Sequence, residues 1–501
     1  MACANLAACV TVGPDFVPPV LDAPPEWSAP LSEGLDAPGA PPDQWWMLFA
    51  DPVLDELVTT ARKRNNNLEI AALRVLEARA QLGIATGSQY PQSQFAAASA
   101  THVSPADNAL VSSSFEQYSA GASVAWELDF WGRFRRGIES AEALWLASIA
   151  DYHQFQVLLT AAVVDAYTAV RVTQEQLRIA HDNVVLQQRS FEIAEVLYRQ
   201  GSDSELDMQQ ARTLLLATEA SIPEFEAALA QARNALSALL GLPPGGVEPM
   251  LTGADAIPTV PADLAIGVPA DMLRRRPDVR EAELLAMAQN ALVGLAEADL
   301  YPSFSLAGSI GVSAGGPGDG SFGDLFDSDA LEFSVGANLV WPFLNYGRIR
   351  NNVRVQDARL QQALVFYREN VLQAAREAED AIAGFIGARR QARILAETVQ
   401  SAERSNAIST LQYREGFSDY QRVLDSQQAL FTQQQRYVAA QGNVVFALVD
   451  LYQALGGGWD ASGVEPMPSP DSIDTMRERT NWGDMLEPTA PASAPESEPD
   501  D

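Results

Sequence analysis

Residues 118–130, YSAGASVAWELDF, alternate strictly between two kinds of side chain. The even positions are apolar from Tyr118 to Phe130. The odd positions are small or polar, as at Ser119, Ser123 and Glu127. A period of two predicts a β-strand with one apolar face and one polar face. We therefore predict a strand over about 117–130.

Three further stretches show the same alternation. Residues 303–313 and 332–343 place Phe, Leu, Ile and Val opposite Ser, Gly and Asn. The fourth stretch, about 92–103, alternates more weakly. Its pattern assigns Phe95, Ala97 and Val103 to the apolar face and Gln94 and His102 to the polar face. These sequences predict three more strands.

The predicted strands have the length of membrane strands. Each spans about 9–13 residues, which crosses a bilayer when the strand is tilted, and aromatic residues cluster at the strand ends, as in an interfacial girdle. Four strands cannot close a barrel, and lipid does not tolerate open edges. Two or three copies would supply 8 or 12 strands, of which only 12 leave a useful lumen. The alternative is a soluble sandwich with one wet face.

The sequence also contains a tandem duplication. Tyr198-Arg-Gln-Gly201 recurs as Tyr413-Arg-Glu-Gly416, and Leu206-Asp207 recurs as Leu424-Asp425. The order of the motifs is constant and the spacing nearly so, which indicates two copies with short insertions. We place them at 53–242 and 270–456. They are joined by a linker over 243–269.

Each copy carries signals for very long helices. Residues 138–200 contain neither Gly nor Pro, and 63 helical residues would extend about 95 Å. Helices of this length are typical of coiled-coil packing. We predict helical hairpins over about 133–240 and 348–456, each preceded by a shorter helix and two strands. Gly201 and Gly416 mark the turns.

Composition excludes several classes of function. The chain of 501 residues has a formal net charge of −32, which argues against nucleic-acid binding. Two cysteines and three scattered histidines provide neither a disulfide framework nor a metal site. The sequence contains no run of 18 apolar residues, so it predicts no membrane-spanning helix. We find no nucleophile and base pattern, so we expect no enzyme and no cofactor.

The two ends differ from the rest of the chain. Leu6-Ala-Ala-Cys9 has the form of a lipobox, so residues 1–8 are interpreted as a signal remnant and Cys9 as the acylated residue. The alternative is two incidental free thiols, at Cys3 and Cys9. Residues 9–52 are proline-rich and predict an extended tether. Residues 457–501 are rich in Pro, Ser and acidic residues and predict a disordered tail, with partner binding as the alternative.

At this point the sequence resembles a known family. The relevant motifs are the lipobox with Val12-Gly-Pro-Asp-Phe16, Trp131-Gly-Arg133, Leu273-Arg-Arg-Arg-Pro-Asp-Val-Arg280 and Ala298-Asp-Leu-Tyr-Pro-Ser303. Together they resemble TolC-like outer-membrane efflux lipoproteins of the OprM and NodT branch. The similarity extends over nearly the whole chain, from about 9 to 456.

The resemblance implies an α+β membrane protein that forms a homotrimeric duct. Four strands per chain would make a 12-stranded barrel in the outer membrane, continued by a coiled-coil α-helical tunnel in the periplasm. It implies a periplasmic adaptor and an inner-membrane pump of the resistance-nodulation-division type as partners. It also implies a covalent lipid at Cys9 and efflux of drugs or other small amphiphilic compounds.

The family closes its periplasmic end at the helical tips of the second repeat. The resemblance therefore implies gate residues at Tyr413, Arg414 and Asp425, with Asp207 equivalent in the first repeat. Two positions depart from the pattern: Gln421 replaces an apolar residue and Gln428 replaces an arginine. Fewer ion pairs are then available to hold the gate closed. The alternative for both aspartates is an exposed helix carboxylate near a turn.

Two other functions are compatible with parts of the sequence. The same duct would also serve type I protein secretion. A soluble periplasmic coiled-coil scaffold or adaptor would explain the long hairpins, although it leaves the four amphipathic strands unexplained.

Overall fold

The computed structural model describes residues 11–20, 26–28, 31–36, 43–104, 114–202, 204–253, 256–267, 269–316, 321–459 and 465–488. Cys3 and Cys9 lie outside the described residues, as do residues 489–501. The signal remnant and the lipid anchor therefore stay predictions.

Nine α-helices and six β-strands follow one another along the described chain. In order they are β1 (Leu35–Asp36), α1 (Pro52–Arg64), α2 (Asn66–Gly87), β2 (Ser93–Val103), β3 (Phe115–Leu128), α3 (Arg133–Arg199), α4 (Glu205–Leu239), β4 (Leu264–Ala265), α5 (Pro269–Arg275), α6 (Pro277–Ala298), β5 (Ser303–Gly315), β6 (Leu331–Val340), α7 (Arg348–Arg414), α8 (Tyr420–Ala454) and α9 (Pro470–Arg479). The succession helix, two strands, helical hairpin occurs twice.

The chain divides into two compact units. The sheet unit comprises residues 1–20, 75–148 and 281–368, and the helical unit comprises 21–74, 149–280 and 369–501. In the sheet unit, β2, β3, β5 and β6 form one antiparallel sheet in that order. The central pair, β3 with β5, joins the two copies of the repeat. The four predicted strands lie within three residues of the observed ones.

The N-terminal segment of the sheet unit is bound to the start of α3 and lies against the C-terminal part of α6. The Arg136 guanidinium donates to the carbonyls of Val12 and Gly13 and pairs with Asp15 at 2.8 Å. Gly294 approaches the same segment so closely that a Cβ there would lie 2.9 Å from the Val12 carbonyl oxygen. A glycine in α6 therefore permits this contact.

The core of the helical unit includes residues that the sequence assigns to the tether. Trp45 and Trp46 lie in a 3-10 turn over Trp45–Phe49 and are buried. The Trp45 ring stacks on Tyr452 at 5.4 Å. The prediction of an extended tether over 9–52 is therefore wrong for this stretch. Burying two large indole rings stabilises a packed conformation, whereas an extended tether would leave both rings in water.

The shorter helix predicted before the strands of the first copy consists of two helices. Asn65 separates α1 from α2. Its Oδ1 accepts from the backbone N–H groups of Asn67 and Leu68, which caps α2. In the second copy, Gly384 and Gly387 both lie inside the continuous α7, so glycine at these positions does not interrupt the helix.

The tail is not disordered from residue 457 onward. Residues 465–488 are ordered and include α9, whose Ser469 N-cap donates its backbone N–H and hydroxyl to Glu69 at 2.9–3.0 Å. Met476 and Leu486 are buried. Composition does not predict order in this segment, because only a few apolar residues hold it against the rest of the helical unit.

One helix among the described residues, α3, contains an 18-residue window apolar enough to cross a bilayer by composition. That window is 61% buried within the protein, which is typical of a packed core helix.

Candidate functional site: a two-faced sheet and two hairpin tips

The sheet presents one polar face built mainly from small residues. Ser99 and Ser119 share a hydrogen bond of 2.8 Å across β2 and β3, and Ser309 and Ser334 share another of 2.8 Å across β5 and β6. Ser313 donates to Glu332 at 2.7 Å. Glycine, alanine and further serines fill most of the remaining positions. These small residues leave room for water and offer little surface on which a solute is retained.

The opposite face is apolar and exposed. The strand register aligns Trp126 with Leu306, Ala122 with Ile310, and Ile310 with Phe333. Phe333 is 79% exposed. An apolar surface this continuous on an isolated chain indicates contact with lipid or protein. The predicted faces of β3, β5 and β6 are confirmed.

In β2 the predicted assignment of side chains to the two faces is inverted, as by a shift of one residue. Phe95 lies opposite Ser123 and Ala97 opposite Gly121, so both share the polar face of β3. Gln94 and His102 share the apolar face. Strand pairing decides the face, and a shift of one residue moves every side chain to the other side.

The extra residue that causes this shift is Gln92. The motif Tyr90-Pro91 is followed by Gln92 and then Ser93, whereas Tyr301-Pro302 is followed directly by Ser303. The Gln92 amide oxygen accepts from the backbone N–H of Glu127 at 2.7 Å, and its Nε2 donates to the Glu127 carbonyl at 3.1 Å. The side chain thus takes the place of a strand residue and fixes the register of β2.

Aromatic side chains are anchored at the end of the sheet nearest the helices. Trp126 donates to the Gln89 carbonyl at 3.1 Å, and Trp341 donates to the Leu300 carbonyl at 3.1 Å. The Trp131 ring stacks on Tyr301 at 4.6 Å and donates to the Pro302 carbonyl. Aromatic rings whose polar atom is hydrogen-bonded and whose apolar part is exposed are typical of a membrane interface.

The two hairpin turns in the helical unit have the same backbone geometry. Gly201 has φ +70° and Gly416 has φ +76°, which favours glycine. In each turn the next residue donates its N–H across the helix end, from Ser202 to the Leu197 carbonyl and from Phe417 to the Gln412 carbonyl. These are Schellman motifs.

The two aspartates near the tips have different surroundings. Asp207 is half-buried, and its carboxylate accepts from the Ser204 hydroxyl at 2.6 Å while its own N–H donates back to that hydroxyl. It therefore takes part in the cap of α4. Asp425 is exposed and accepts only from Gln421, at 2.8 Å, among the hydrogen bonds of the described residues.

Gln421, Asp425 and Gln428 lie on one exposed face of α8, at spacings of four and three residues. Tyr413 is half-buried, and its ring meets the buried Tyr420 edge-on at 5.3 Å. Arg414 is exposed. The structure therefore brings Gln421, Asp425 and Gln428 together and gives Tyr413 a packing role within the chain.

Sequence reasoning missed the polar contacts between the two repeats. Asn183 of α3 donates to Gln434 of α8 at 2.9 Å, and Gln427 of α8 donates to Ser190 of α3 at 2.6 Å. These amides are mostly buried, so the contacts fix how the helices of the two repeats align. Long-range pairs of this kind leave no periodic signal in the sequence.

A pair of acidic residues was also missed. Burial, assisted by the nearby Asp450, raises the pKa of Asp165 to about 7. One Asp165 carboxylate oxygen is buried and accepts no hydrogen bond from the described residues. Burial likewise raises the pKa of Asp450. Among the described residues, no group of three His, Cys, Asp or Glu side chains is placed to hold a metal ion.

Comparison with known proteins gives a consistent result. The sequence profile described as outer membrane efflux protein matches residues 57–242 and 268–457. The pyoverdine export outer membrane protein OpmQ of Pseudomonas putida is 33% identical over 470 residues, covering 91% of this chain and 96% of that protein. The cation efflux system protein CusC of Escherichia coli is 29% identical, with the same coverage.

Solved structures agree with the sequence relatives. The outer-membrane channel OprN aligns with a TM-score of 0.84 at 32% identity, over 89% of this chain and 99% of that one. A structure of CusC aligns with a TM-score of 0.78 at 27% identity, over 89% of this chain and 100% of that one.

Proposed function

The chain belongs to the outer membrane efflux protein family, and from that premise we propose that three copies form a passive exit duct for small amphiphilic compounds. The observation that carries the proposal is the four-stranded sheet. It has one lumen-like face, one lipid-like face and two unpaired edges.

The edges allow closure by further copies. Successive strands alternate in direction, so β6 runs opposite to β2. The β6 edge of one copy therefore meets the β2 edge of the next as an antiparallel pair, which continues the sheet. Three copies supply 12 strands and leave no unpaired edge in the lipid.

The duct performs no chemistry of its own, and energy comes from partners. We propose a periplasmic adaptor and an inner-membrane pump of the resistance-nodulation-division type, as the family resemblance implies. Relatives are named for export of pyoverdine, cations and toluene. The small polar residues of the lumen face favour passage of varied compounds over selective binding.

We place the gate at the tip of the second hairpin. Gln421, Asp425 and Gln428 face away from their own chain and are available to neighbouring copies around a threefold axis. With amides at two of the three positions, few ion pairs hold the closed state. Tyr413 supports this face through Tyr420, and Asp207 stabilises the first hairpin. Arg414 is an exposed cation available to neighbouring copies.

The anchor is the remaining part of the proposal. A diacylglycerol and a fatty acid at Cys9 would hold the N-terminal segment at the outer membrane, next to the sheet unit that binds residues 12–15. No protein cofactor is needed.

The decisive experiment is the native mass of the full chain, expressed with an upstream signal and purified from membranes in detergent. We expect a trimer with a mass increment for the lipid at Cys9, and ion conduction in a planar bilayer. A trimer without the mass increment would contradict the lipid anchor at Cys9 and would still support the duct. A monomer that stays soluble without detergent contradicts the duct and favours a soluble scaffold.

A further inference from the structure

The polar face of the sheet contains two phenylalanines among mostly small or polar side chains: Phe95, near the start of β2, and Phe115, which pairs with Val103 at the other end of the sheet. Phe95 shares a row with Ser123, Ser309 and Ser334, one residue from each of the four strands. The adjacent row on the side nearest the helices contains Ser93, Ala125, Ala307 and Gly336. Phe95 is 61% exposed, so its own chain does not cover the ring.

The position of this ring is fixed by the fold. Gln92 bonds both main-chain groups of Glu127, which sets the register of β2 three residues before Phe95. The pairing of Phe95 with Ser123 then places the ring on the serine face. A rotation of the strand that hid the ring would turn Gln94 and His102 into the face of small polar residues and would break that clamp.

We propose that Phe95 forms an aromatic constriction in the lumen at the helical end of the barrel, where it contacts the apolar parts of exported compounds. The proposal rests on the trimeric duct described above. Three copies bring three rings to the same level, each next to small residues. An aromatic ring in a water-filled pore narrows it and attracts apolar and cationic aromatic solutes.

The direction of the ring is testable by cysteine accessibility. Phe95→Cys is compared with Phe333→Cys, which lies on the opposite face and is 79% exposed in the single chain. A charged, membrane-impermeant methanethiosulfonate reagent is added to trimers in a planar bilayer. We expect stepwise loss of current for Phe95→Cys and none for Phe333→Cys or the parent chain. An unaltered Phe95→Cys current overturns the proposal.

The contact of Phe95 with solutes is tested by measuring how a solute blocks the pore current. Tetraphenylphosphonium is the probe, and Phe95→Ala, Phe95→Leu and Phe333→Ala are compared with the parent chain. We expect Phe95→Ala to conduct more and to need at least threefold more probe for half block. Phe95→Leu should be intermediate and Phe333→Ala unchanged.

The two proposals fail in different ways. If the parent chain forms no trimer and no pore, the duct itself is contradicted. If the parent conducts while Phe95→Ala has the parent's conductance and block, only the constriction is contradicted. A Phe95→Ala trimer that is less stable but conducts as the parent does indicates packing against a neighbouring copy and also overturns the constriction.

Discussion

Gln92 and Glu127 are joined by two hydrogen bonds that imitate a strand pair. The side-chain amide of Gln92 accepts from the Glu127 N–H at 2.7 Å and donates to the Glu127 carbonyl at 3.1 Å. A side chain thereby occupies the place of one residue of β2. Every later residue of that strand has its face set by this pair.

Replacing Gln92 with Leu should loosen the start of β2. Three hydrogen bonds at an exposed site are lost, two to Glu127 and one to the Ser88 carbonyl, which costs about 1 kcal/mol, and the Glu127 N–H loses its acceptor. Hydrogen exchange at that amide should become faster, and the melting temperature should fall slightly. Gln94→Leu is the control, because the Gln94 side chain bonds only the Pro91 carbonyl among the described residues. Equal exchange at Glu127 in both variants would contradict the clamp.

The faces of the sheet were predictable only where alternation and pairing agree. In β3, β5 and β6 most of the large apolar residues fall on alternate positions, so the alternation identifies the face. In β2 most positions are Ala or Ser, which fit either face, and Phe95 dominated the pattern. The deciding interaction was a side chain three residues upstream, paired with a strand 35 residues away.

The polar face should make the pore prefer cations. The described strand residues on this face include the carboxylates Glu127 and Glu332 and contain no Lys or Arg. Arg133 pairs with Glu127 at 3.4 Å, so Glu332 is the carboxylate with no cationic partner among the described ion pairs. Reversal potentials in a KCl gradient should show cation preference, reduced in Glu332→Gln. Anion preference in the parent chain would contradict this prediction.

Two glycines in long helices should respond oppositely to alanine. A Cβ at Gly442 of α8 would lie 2.5 Å from Val172 Cγ2 of α3, whereas a Cβ at Gly384 of α7 meets nothing within 4 Å. Gly442→Ala should destabilise by about 1–3 kcal/mol through overpacking. Gly384→Ala should stabilise by about 0.5–1 kcal/mol, because alanine favours helix. Thermal unfolding measures both. A Gly442→Ala variant as stable as the parent would show that α3 and α8 do not pack this closely.

The tip aspartates should separate into a gate residue and a cap residue. Asp425→Ala removes the exposed carboxylate that neighbouring copies would share, so conductance at rest should rise. Asp207→Ala removes the partner of Ser204 and should cost about 0.5–1 kcal/mol, with a smaller effect on conductance. Single-channel recording and thermal unfolding distinguish the two. An unchanged Asp425→Ala record would remove Asp425 from the gate.

The duplication, the long hairpins and their glycine turns follow from local signals that repeat in the sequence. The segments that differ from expectation depend on few, distant contacts. Trp45 is buried because Tyr452 lies against it, and Ser469 begins a helix beside Glu69. Composition describes such segments as a tether and a tail because their apolar residues are sparse. The buried acid Asp165 escaped notice for the same reason, since its burial depends on neighbouring helices.

Asp165 should make the protein less stable as pH rises from about 4 to about 7. Its pKa is about 7 in the folded chain, against an ordinary value near 4, so the folded state retains a proton that the unfolded state has lost in that range. Asp165→Asn should therefore raise the melting temperature at pH 8, by a stabilisation of at most a few kcal/mol, and the gain should shrink toward zero below pH 4. Asp182→Asn is the control, because that exposed carboxylate pairs with Arg178 on the surface of the same helix. A gain for Asp165→Asn that is the same at pH 4 and pH 8 would show that proton uptake at this site does not contribute to stability.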